Sequence, residues 1–377
     1  MLKVKKRTGV VLLGAAVVLL VYAISVNWKC RAVIKNGMLT GIKNGIAEKK
    51  TDLKKFRIPE GIAGIYPLAF KDCVNLESVS ISDSVTEIGM GAFCNCTKLE
   101  SIALPDQLKS IGISAFSGCT ALQSITIPKG VEVIASQVFS DCSSLESISL
   151  PDTIQEIGES AFSNCVSLRS IDLPDNLERL GSQAFDDCSI LSNVEMPEGI
   201  QEVGENPFSG TALMDSSGAD EYGSVYWGDI LLHNKGEHDF VEVRVSTTVI
   251  AAAAFRNNDK IKRVDLPEGI AEIPENCFQN CSSLEEVNIS DGLQTIGMGA
   301  FSGSGVRHIK LPNGVTKIGY GAFYNCQHLM DINLPESIES VSYDIVNAFN
   351  FFAKKKNRET QAFRLAEQKC RTMSQEQ

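Results

Sequence analysis

The stretch IGESAFSNCVSLRSIDLPD, residues 157–175, recurs along most of this chain with few changes. The same pattern reads IGISAFSGCTALQSITIPK at residues 111–129 and LGSQAFDDCSILSNVEMPE at residues 180–198. A phenylalanine returns every 23 residues in two series, and the second series closes after 22. The two series are Phe70, Phe93, Phe116, Phe139, Phe162, Phe185 and Phe208, and then Phe255, Phe278, Phe301 and Phe323. A fixed period of this length is typical of a repeat architecture.

Each unit has the form A-F-x-x-C-x-x-L-x-x-I-x-L-P-x-x-I-x-x-I-G, and residues 139–158 fill it from the phenylalanine onward. The Phe, Cys and Leu slots lie three residues apart, which indicates a helical or 3₁₀ turn. Ile148 and Leu150 alternate with polar residues and predict a short strand that ends at Pro151. One unit has too few apolar groups for a core of its own, so the units must stack. The pattern therefore predicts a solenoid with one long parallel sheet.

This repeat resembles the leucine-rich repeat of BspA-like (Treponema-type) bacterial surface proteins over about residues 60–341. The resemblance implies an α/β-type solenoid of leucine-rich repeats of about 23 residues with a parallel sheet. It also implies, from several relatives, a role in adhesion or partner binding. The family has no shared catalytic residues, so the resemblance carries none over to this chain.

Eight of the twelve cysteines occupy one slot of the repeat, three residues after the phenylalanine. They are Cys73, Cys96, Cys119, Cys142, Cys165, Cys188, Cys281 and Cys326. Neighbouring coils would hold their Cα atoms about 4.8 Å apart, a distance that a disulfide tolerates. Thr211, Asn258 and Ser304 fill the same slot elsewhere, and these residues form hydrogen bonds but no disulfides. We therefore predict a buried ladder of hydrogen-bonding thiols, with disulfides or a metal site as the alternatives.

The N-terminal segment predicts a membrane anchor. Residues 9–26, GVVLLGAAVVLLVYAISV, contain no charged side chain and follow four Lys and Arg residues. Eighteen helical residues span about 27 Å, which is enough to cross the hydrocarbon core of a bilayer. We predict a cytoplasmic tail at residues 1–8 and a transmembrane signal anchor at 9–27, with the repeats extracellular at the cell membrane. A cleaved signal peptide is the alternative, and it would make the protein secreted.

Both ends of the repeat region are predicted to be capped. Residues 28–59 contain an Asn-Gly pair at 36–37, which predicts an N-terminal cap hairpin. Residues 346–377 contain neither Pro nor Gly and have an apolar stripe at helical spacing, which predicts a C-terminal capping helix. The stripe consists of Phe363, Ala366, Cys370 and Met373.

A break in the period divides the repeats into two arrays, at residues 60–213 and 241–345. The segment between them, residues 214–240, contains VYWGDILL and the polar stretch NKGEHD, with FVEVRV beginning at its end. We predict an inserted hairpin whose two strands are VYWGDILL and FVEVRV and whose turn is NKGEHD.

Composition and motifs argue against nucleic-acid binding and catalysis. The chain has 46 acidic and 35 basic residues, a net charge of −11, which disfavours nucleic acid as a partner. His233 and His238 lie on either side of Gly236, and a spacing of five residues does not align two metal ligands on a helix. We interpret both as exposed polar residues of a turn. We predict no catalytic, cofactor or metal site and no enzyme activity.

The residues that flank the inward-pointing Ile of each predicted strand must point away from the core. In the first repeats these positions are mostly serine, whereas between residues 169 and 333 they are charged and varied. This variation predicts that the exposed sheet face binds a protein or glycan ligand, and drift at an unconstrained surface is the alternative. The candidate binding residues are Asp172, Glu195, Arg263, Asp265, Glu286, Asn288, His308, Lys310 and Asp331.

Two classes of function fit these features. The first is a membrane-anchored extracellular binding or adhesion module. The second is a structural spacer or assembly protein of the cell envelope without a specific ligand. A soluble fragment that binds a defined ligand saturably would favour the first class, and self-association alone would favour the second.

Overall fold

The computed structural model describes residues 30–35, 37–44, 53–216, 218–338 and 340–341. The predicted tail and anchor at 1–27 and the predicted helix at 346–377 lie outside the described residues. Within the described part, no helix is long and apolar enough to cross a membrane.

Most coils of the solenoid contribute a three-residue strand, and these long strands build one face; the coils of Ile171 and Val194 pair there only through a single bridge between Ser170 and Asn193. The long strands stack in parallel into two five-stranded sheets, one in each array. The middle residue of each long strand points to the core, and its neighbours point to solvent. The long strands are β3 (Lys55–Arg57), β5 (Ser78–Ser80), β7 (Ser101–Ala103), β9 (Ser124–Thr126), β11 (Ser147–Ser149), β17 (Phe240–Glu242), β19 (Arg263–Asp265), β21 (Glu286–Asn288), β23 (His308–Lys310) and β25 (Asp331–Asn333).

A second face is built by two-residue strands, each of which ends at the slot of the Ile before the recurring Gly of the repeat, a position called the I-G corner below. The prediction of one sheet is therefore wrong. These short strands also pair in parallel, and their second residue is the inward Ile, Leu or Val. Two-residue strands show no alternation that a sequence can reveal. They are β4 (Gly64–Ile65), β6 (Glu87–Ile88), β8 (Ser110–Ile111), β10 (Val133–Ile134), β12 (Glu156–Ile157), β13 (Arg179–Leu180), β14 (Glu202–Val203), β18 (Val249–Ile250), β20 (Glu272–Ile273), β22 (Thr295–Ile296), β24 (Lys317–Ile318) and β26 (Ser340–Val341).

The segment that carries Phe and Cys is a series of tight turns with hydrogen bonds between residues three apart, which agrees with the 3₁₀-type alternative of the prediction and not with a helix. The Cys73 amide donates to the Phe70 carbonyl at 3.1 Å, and the Leu76 amide donates to the Cys73 carbonyl at 2.9 Å. The residue before each Cys slot has a positive φ, which interrupts any continuing helix. These residues are Asp72, Asn95, Gly118, Asp141, Asn164, Asp187, Gly210, Asn257, Asn280, Gly303 and Asn325. The fold is therefore a parallel-sheet β-solenoid with little helix, which corrects the α/β-type prediction.

The phenylalanines stack through the core of both arrays. Phe93 and Phe116 have ring centroids 5.3 Å apart and planes 2° apart, and Phe162 and Phe185 repeat this geometry at 5.2 Å. All eleven repeat phenylalanines are at most 1% exposed. Each ring fills the space between two neighbouring coils, so the stack removes the surface that a single coil cannot bury.

The cysteine ladder is confirmed, and every cysteine of the slot is free. From the second coil on, each thiol is placed to donate to the carbonyl of the phenylalanine one coil earlier in the stack. The Sγ–O distances are 3.3 Å for Cys96, 3.2 Å for Cys119, 3.3 Å for Cys142, 3.2 Å for Cys165, 3.1 Å for Cys188, 3.0 Å for Cys281 and 2.9 Å for Cys326. Burial raises the pKa of the Cys142 thiol to about 12, so this thiol is neutral at physiological pH.

The first coil is covered by an antiparallel hairpin of β1 (Cys30–Lys35) and β2 (Met38–Asn44). Strand β2 pairs in parallel with β4, with Leu39 opposite Ile65. Leu39 is fully buried, so the hairpin closes the N-terminal end of the core.

The insertion between the arrays differs from its predicted form. A short helix, α1 (Ala212–Ser216), is followed by a hairpin of β15 (Ser224–Trp227) and β16 (Ile230–Asn234). The hairpin turns at Gly228 and Asp229, inside VYWGDILL, and not at NKGEHD. FVEVRV instead supplies β17, the first long strand of the second array. NKGEHD is instead a loop that joins two coils, and the positive φ of Gly236 belongs to this loop and not to a hairpin turn.

This hairpin joins the two hydrophobic cores. Ile230 and Leu232 pack into the core of the first array, while Leu231 packs into that of the second. The Trp227 ring meets Phe208 edge-on at 4.9 Å, and its indole N–H donates to the Val194 carbonyl at 2.8 Å. The insertion is therefore part of the rod.

Candidate functional site

The structure gathers seven of the nine candidate residues on one exposed surface, the long-strand sheet of the second array. Arg263, Glu286, His308 and Asp331 occupy one column of the parallel register, and all four are exposed. The next column contains Asp265, Asn288 and Lys310, of which Asp265 is half-buried. The candidate surface is therefore a flat polar sheet face.

Contacts within this sheet already engage part of its charge. The Arg263 guanidinium donates two hydrogen bonds to the Asp265 carboxylate, both at 2.9 Å. The Asn288 amide donates to the same carboxylate at 2.6 Å. Arg263 also lies over the Phe240 ring, 5.5 Å from its centroid. These contacts hold the side chains in place, which prepares them for a partner at low entropic cost.

Asp172 and Glu195 belong to the first array and lie apart from the other seven. Ser170 and Asn193 pair in parallel, so Asp172 and Glu195 follow at matching positions of two neighbouring coils. Both side chains are exposed. Helix α1 and the inserted hairpin separate them from the long-strand sheet of the second array.

The short-strand face carries a groove that the sequence did not reveal. It has a volume of about 740 Å³ and runs from the coil of Glu156, across the array junction, to the coil of Lys317. Its charged and polar lining includes Glu156, Glu159, Arg179, Ser182, Glu202, Glu272, Glu275, Thr295 and Lys317. The sequence does contain a sign of this groove. From Glu156 onward, the residue just before the inward residue of each short strand varies in charge.

The charges inside the groove influence each other. Although solvent still reaches Glu272, the groove walls remove part of its water, and this desolvation raises its pKa. The Glu202 carboxylate raises it further, whereas Lys317 opposes the rise. Arg179 donates to the Glu156 carboxylate at 2.7 Å, which neutralises one end of the groove. The remaining field at the array junction is negative.

Among the residues that the structure describes, no three His, Cys, Asp or Glu side chains lie where they could bind one metal ion together. His233 is not an exposed turn residue, which corrects that interpretation. It lies in β16 opposite Val225 and is half-buried. Burial, together with Lys235, lowers its pKa. Its ring borders a cavity of about 220 Å³ that Phe208, Met214 and Leu232 also line.

The described part of the solenoid therefore exposes two sheet faces, one made of long strands and one made of short strands. The family described as BspA type leucine rich repeat region matches residues 40–141, 109–221 and 234–354, in six copies. The chain belongs to this family, which confirms the resemblance. No match is found among curated proteins.

Several solved bacterial structures are similar to this chain. A leucine-rich repeat protein from Bacteroides ovatus is 32% identical over 79% of this chain and 78% of its own, with a TM-score of 0.46. A leucine rich cell surface protein from Faecalibacterium prausnitzii is 25% identical over 86% of this chain and 96% of its own, with a TM-score of 0.37. A T. pallidum leucine rich repeat protein is 22% identical over 71% of this chain and 80% of its own, with a TM-score of 0.27.

Proposed function

We propose that this protein is a membrane-anchored extracellular module that binds a protein or glycan through the varied, exposed side of its long strands. One observation carries the proposal. Seven charged, amide or imidazole side chains share one five-stranded sheet, whereas the equivalent sheet of the first array presents mainly Ser78, Ser101, Ser124 and Ser147. The inward residues build the core, so the varied outward side chains are available for recognition.

The anchor is the second part of the proposal. Residues 9–26 lack charge and follow Lys and Arg residues, which favours a single-pass helix with the repeats outside the cell. Cleavage of the segment would give a secreted protein with the same binding surface. We propose a binding role without catalysis, and the acidic net charge of −11 disfavours nucleic acid as the ligand.

The binding proposal is tested with arrays of purified glycans and matrix proteins, probed with residues 30–377 and with two triple variants. The first variant reverses Asp172, Glu195 and Asp265 to lysine. The matched control reverses exposed glutamates of the first array and makes the same change in charge. The control residues are Glu100, Glu132 and Glu146.

We expect saturable binding of the parent and of the control, and loss of binding in the first variant. Equal binding by both variants would refute the long-strand surface as the site. If binding is instead lost when Glu202 and Glu272 become lysine, the groove is the binding site.

A spacer function is the second candidate, and the hairpin that connects the two hydrophobic cores favours it. The inserted hairpin joins both arrays, and the Arg256 guanidinium forms an ion pair with Glu205 across the junction. The chain therefore forms a single connected rod. Self-association in the absence of any captured ligand would support this candidate.

A further inference from the structure

Two copies of one six-residue sequence stand near opposite ends of the solenoid. IGMGAF occupies residues 88–93 and again residues 296–301. Met90 and Met298 fill the same slot of the repeat, and their side chains are 50% and 48% exposed. The two methionines are therefore equivalent in local sequence and in solvent exposure. Their rates of oxidation can be compared within one molecule to detect a partner that covers one of them.

Met90 lies in an exposed apolar surface, which we call the N-terminal patch and define as Tyr66, Leu68, Met90 and Ile113. These side chains are 51%, 45%, 50% and 48% exposed. They are contiguous, since the Leu68 amide donates to the Met90 carbonyl at 2.9 Å and the Gly91 amide donates to the Ile113 carbonyl at 2.8 Å. Beyond Ile113 the slot of Met90 is polar in four successive coils, where its occupants are Ser136, Glu159, Ser182 and Glu205, and it is apolar and exposed again at Met298 and Tyr320.

Positive charge is concentrated at the same end of the chain. Residues 29–57 contain nine Lys and Arg residues and two acidic ones, Glu48 and Asp52, although the whole chain carries a net charge of −11. Lys35 is exposed at the turn of the capping hairpin, and Lys55 and Arg57 are exposed on the long-strand face of the first coil. The uncharged segment 9–26 ends four residues before β1, whose hairpin extends the short-strand sheet beside the patch.

We propose that the N-terminal patch docks on an anionic lipid bilayer, so that the first coils lie against the membrane surface. Apolar and tyrosine side chains enter the boundary between headgroups and acyl chains, and basic residues are attracted to anionic headgroups. A water-exposed apolar surface at the basic end of the chain has both properties, and the proposed anchor precedes the neighbouring hairpin by only four residues of sequence. This inference rests on the proposed anchor, which brings the patch to the membrane.

The test compares the two methionines within one molecule. The full-length protein is reconstituted into vesicles of phosphatidylcholine alone or with phosphatidylglycerol, purified by flotation, and oxidised with hydrogen peroxide. Trypsin releases residues 72–98 and 264–307, and each peptide contains a single methionine, Met90 or Met298. Mass spectrometry of the two peptides gives the ratio of the two oxidation rates.

In vesicles with phosphatidylglycerol we expect Met90 to oxidise about five-fold more slowly than Met298, because acyl chains and headgroups cover it. In phosphatidylcholine vesicles we expect a ratio close to one. In 1 M NaCl, where the Debye length is about 3 Å, the protection in anionic vesicles should weaken.

The outcomes separate the docking from the anchor. A protein that floats with both kinds of vesicle but oxidises Met90 and Met298 equally overturns the docking and leaves the anchor intact. A protein that floats only with anionic vesicles and protects Met90 supports the docking and refutes the anchor. Failure to float with either overturns both. Protection that is the same in neutral vesicles and grows with protein concentration shows that a second copy covers the patch, which overturns the lipid proposal.

Discussion

Replacing Cys142 by serine should destabilise the solenoid at neutral pH and have almost no effect at pH 10. The Cys142 side chain is fully buried, and its thiol donates to the Phe116 carbonyl at 3.3 Å. Serine retains the capacity to donate this hydrogen bond, but it loses the apolar burial and the close fit of the sulfur. We expect the free energy of unfolding to fall by about 1–2 kcal/mol at pH 7.5.

The alkaline effect follows from the pKa of the thiol. Burial raises the pKa of Cys142 from 9.0 to about 12. A folded-state pKa above the unfolded value means that the neutral thiol contributes its full stability below about pH 9 and loses it progressively as pH rises toward 12. At pH 10 the parent protein should lose about 1.4 kcal/mol through this residue, whereas serine does not titrate. The difference between the parent and Cys142→Ser should therefore shrink to nearly zero.

The measurement is urea unfolding followed by circular dichroism at pH 7.5 and pH 10, with a phosphine reductant present throughout. Cys94→Ser is the control, because Cys94 is half-exposed and lies outside the ladder slot. We expect a smaller change with pH for this variant. If Cys142→Ser destabilises the protein equally at both pH values, the buried thiol is not held neutral and the reasoning fails. Unfolding by the reductant alone would show that the ladder contains disulfides.

Two further predictions concern the core and the groove. Phe139→Ala should reduce the free energy of unfolding by about 3–5 kcal/mol, because the ring is fully buried between Phe116 and Phe162. The exposed Val133→Ala should change it by less than about 0.5 kcal/mol in the same urea titration, and similar losses for the two would contradict a stacked core. Glu202→Gln should lower the pKa of Glu272 and Lys317→Gln should raise it, as measured by carboxyl NMR titration. Unchanged values would mean that these side chains do not meet across the groove.

The core could be predicted from the sequence because every coil uses the same slots. Phe139 and Cys142 recur with their period in most coils, so one deduction about burial applies along the whole array. The substitutions Thr211, Asn258 and Ser304 also identified the chemistry of the cysteine slot. Ser304 contacts the Cys326 thiol at 3.6 Å, and Thr211 donates to the Phe208 carbonyl at 2.6 Å. Each repeat of a periodic sequence thus gives independent evidence for the same buried positions.

The residue before each Cys slot carries a sequence signal for the tight turns. This residue is always Asp, Asn or Gly, and these are the residues that most readily adopt a positive φ. This column alone excludes a continuous helix across the Phe and Cys slots. Its side chains also link neighbouring coils, as where the Asn95 amide donates to the Asp72 carboxylate at 2.9 Å.

The short-strand sheet, the groove and the inserted hairpin depend on contacts between coils, which a local pattern does not encode. Glu272 and Ile273 form a strand only because Thr295 and Ile296 pair with them. VYWGDILL reads as one apolar strand, and Gly228 becomes a turn because Trp227 and Ile230 both reach the core. The position of a tight turn within an apolar run is set by the core on which it packs.

The structure also separates the candidate residues that stability explains from those that it does not. In the second array, Arg263 lies opposite Glu286, and His308 lies opposite Asp331. Opposite charges on neighbouring strands are favourable, so folding stability alone explains the Arg263–Glu286 pair, and it is compatible with the polar pair of His308 and Asp331. Asp172 and Glu195 are different, because two like charges at matching positions of neighbouring coils are unfavourable by the same reasoning.

Under the proposed binding function, the like-charged pair on the exposed surface is therefore the part of the candidate site that folding stability does not explain. A cationic group of a protein partner, or a hydroxyl-rich glycan that donates to both carboxylates, would relieve the repulsion on binding. It follows that reversing Asp172 and Glu195 together should abolish ligand capture, while neutralising one of them should stabilise the free solenoid. Reversing Asp265 should act mainly through the loss of its hydrogen bonds with Arg263 and Asn288. If ligand binding requires Asp265 but survives the double reversal of Asp172 and Glu195, recognition lies in the second array. The acidic pair is then the result of drift at an unconstrained surface.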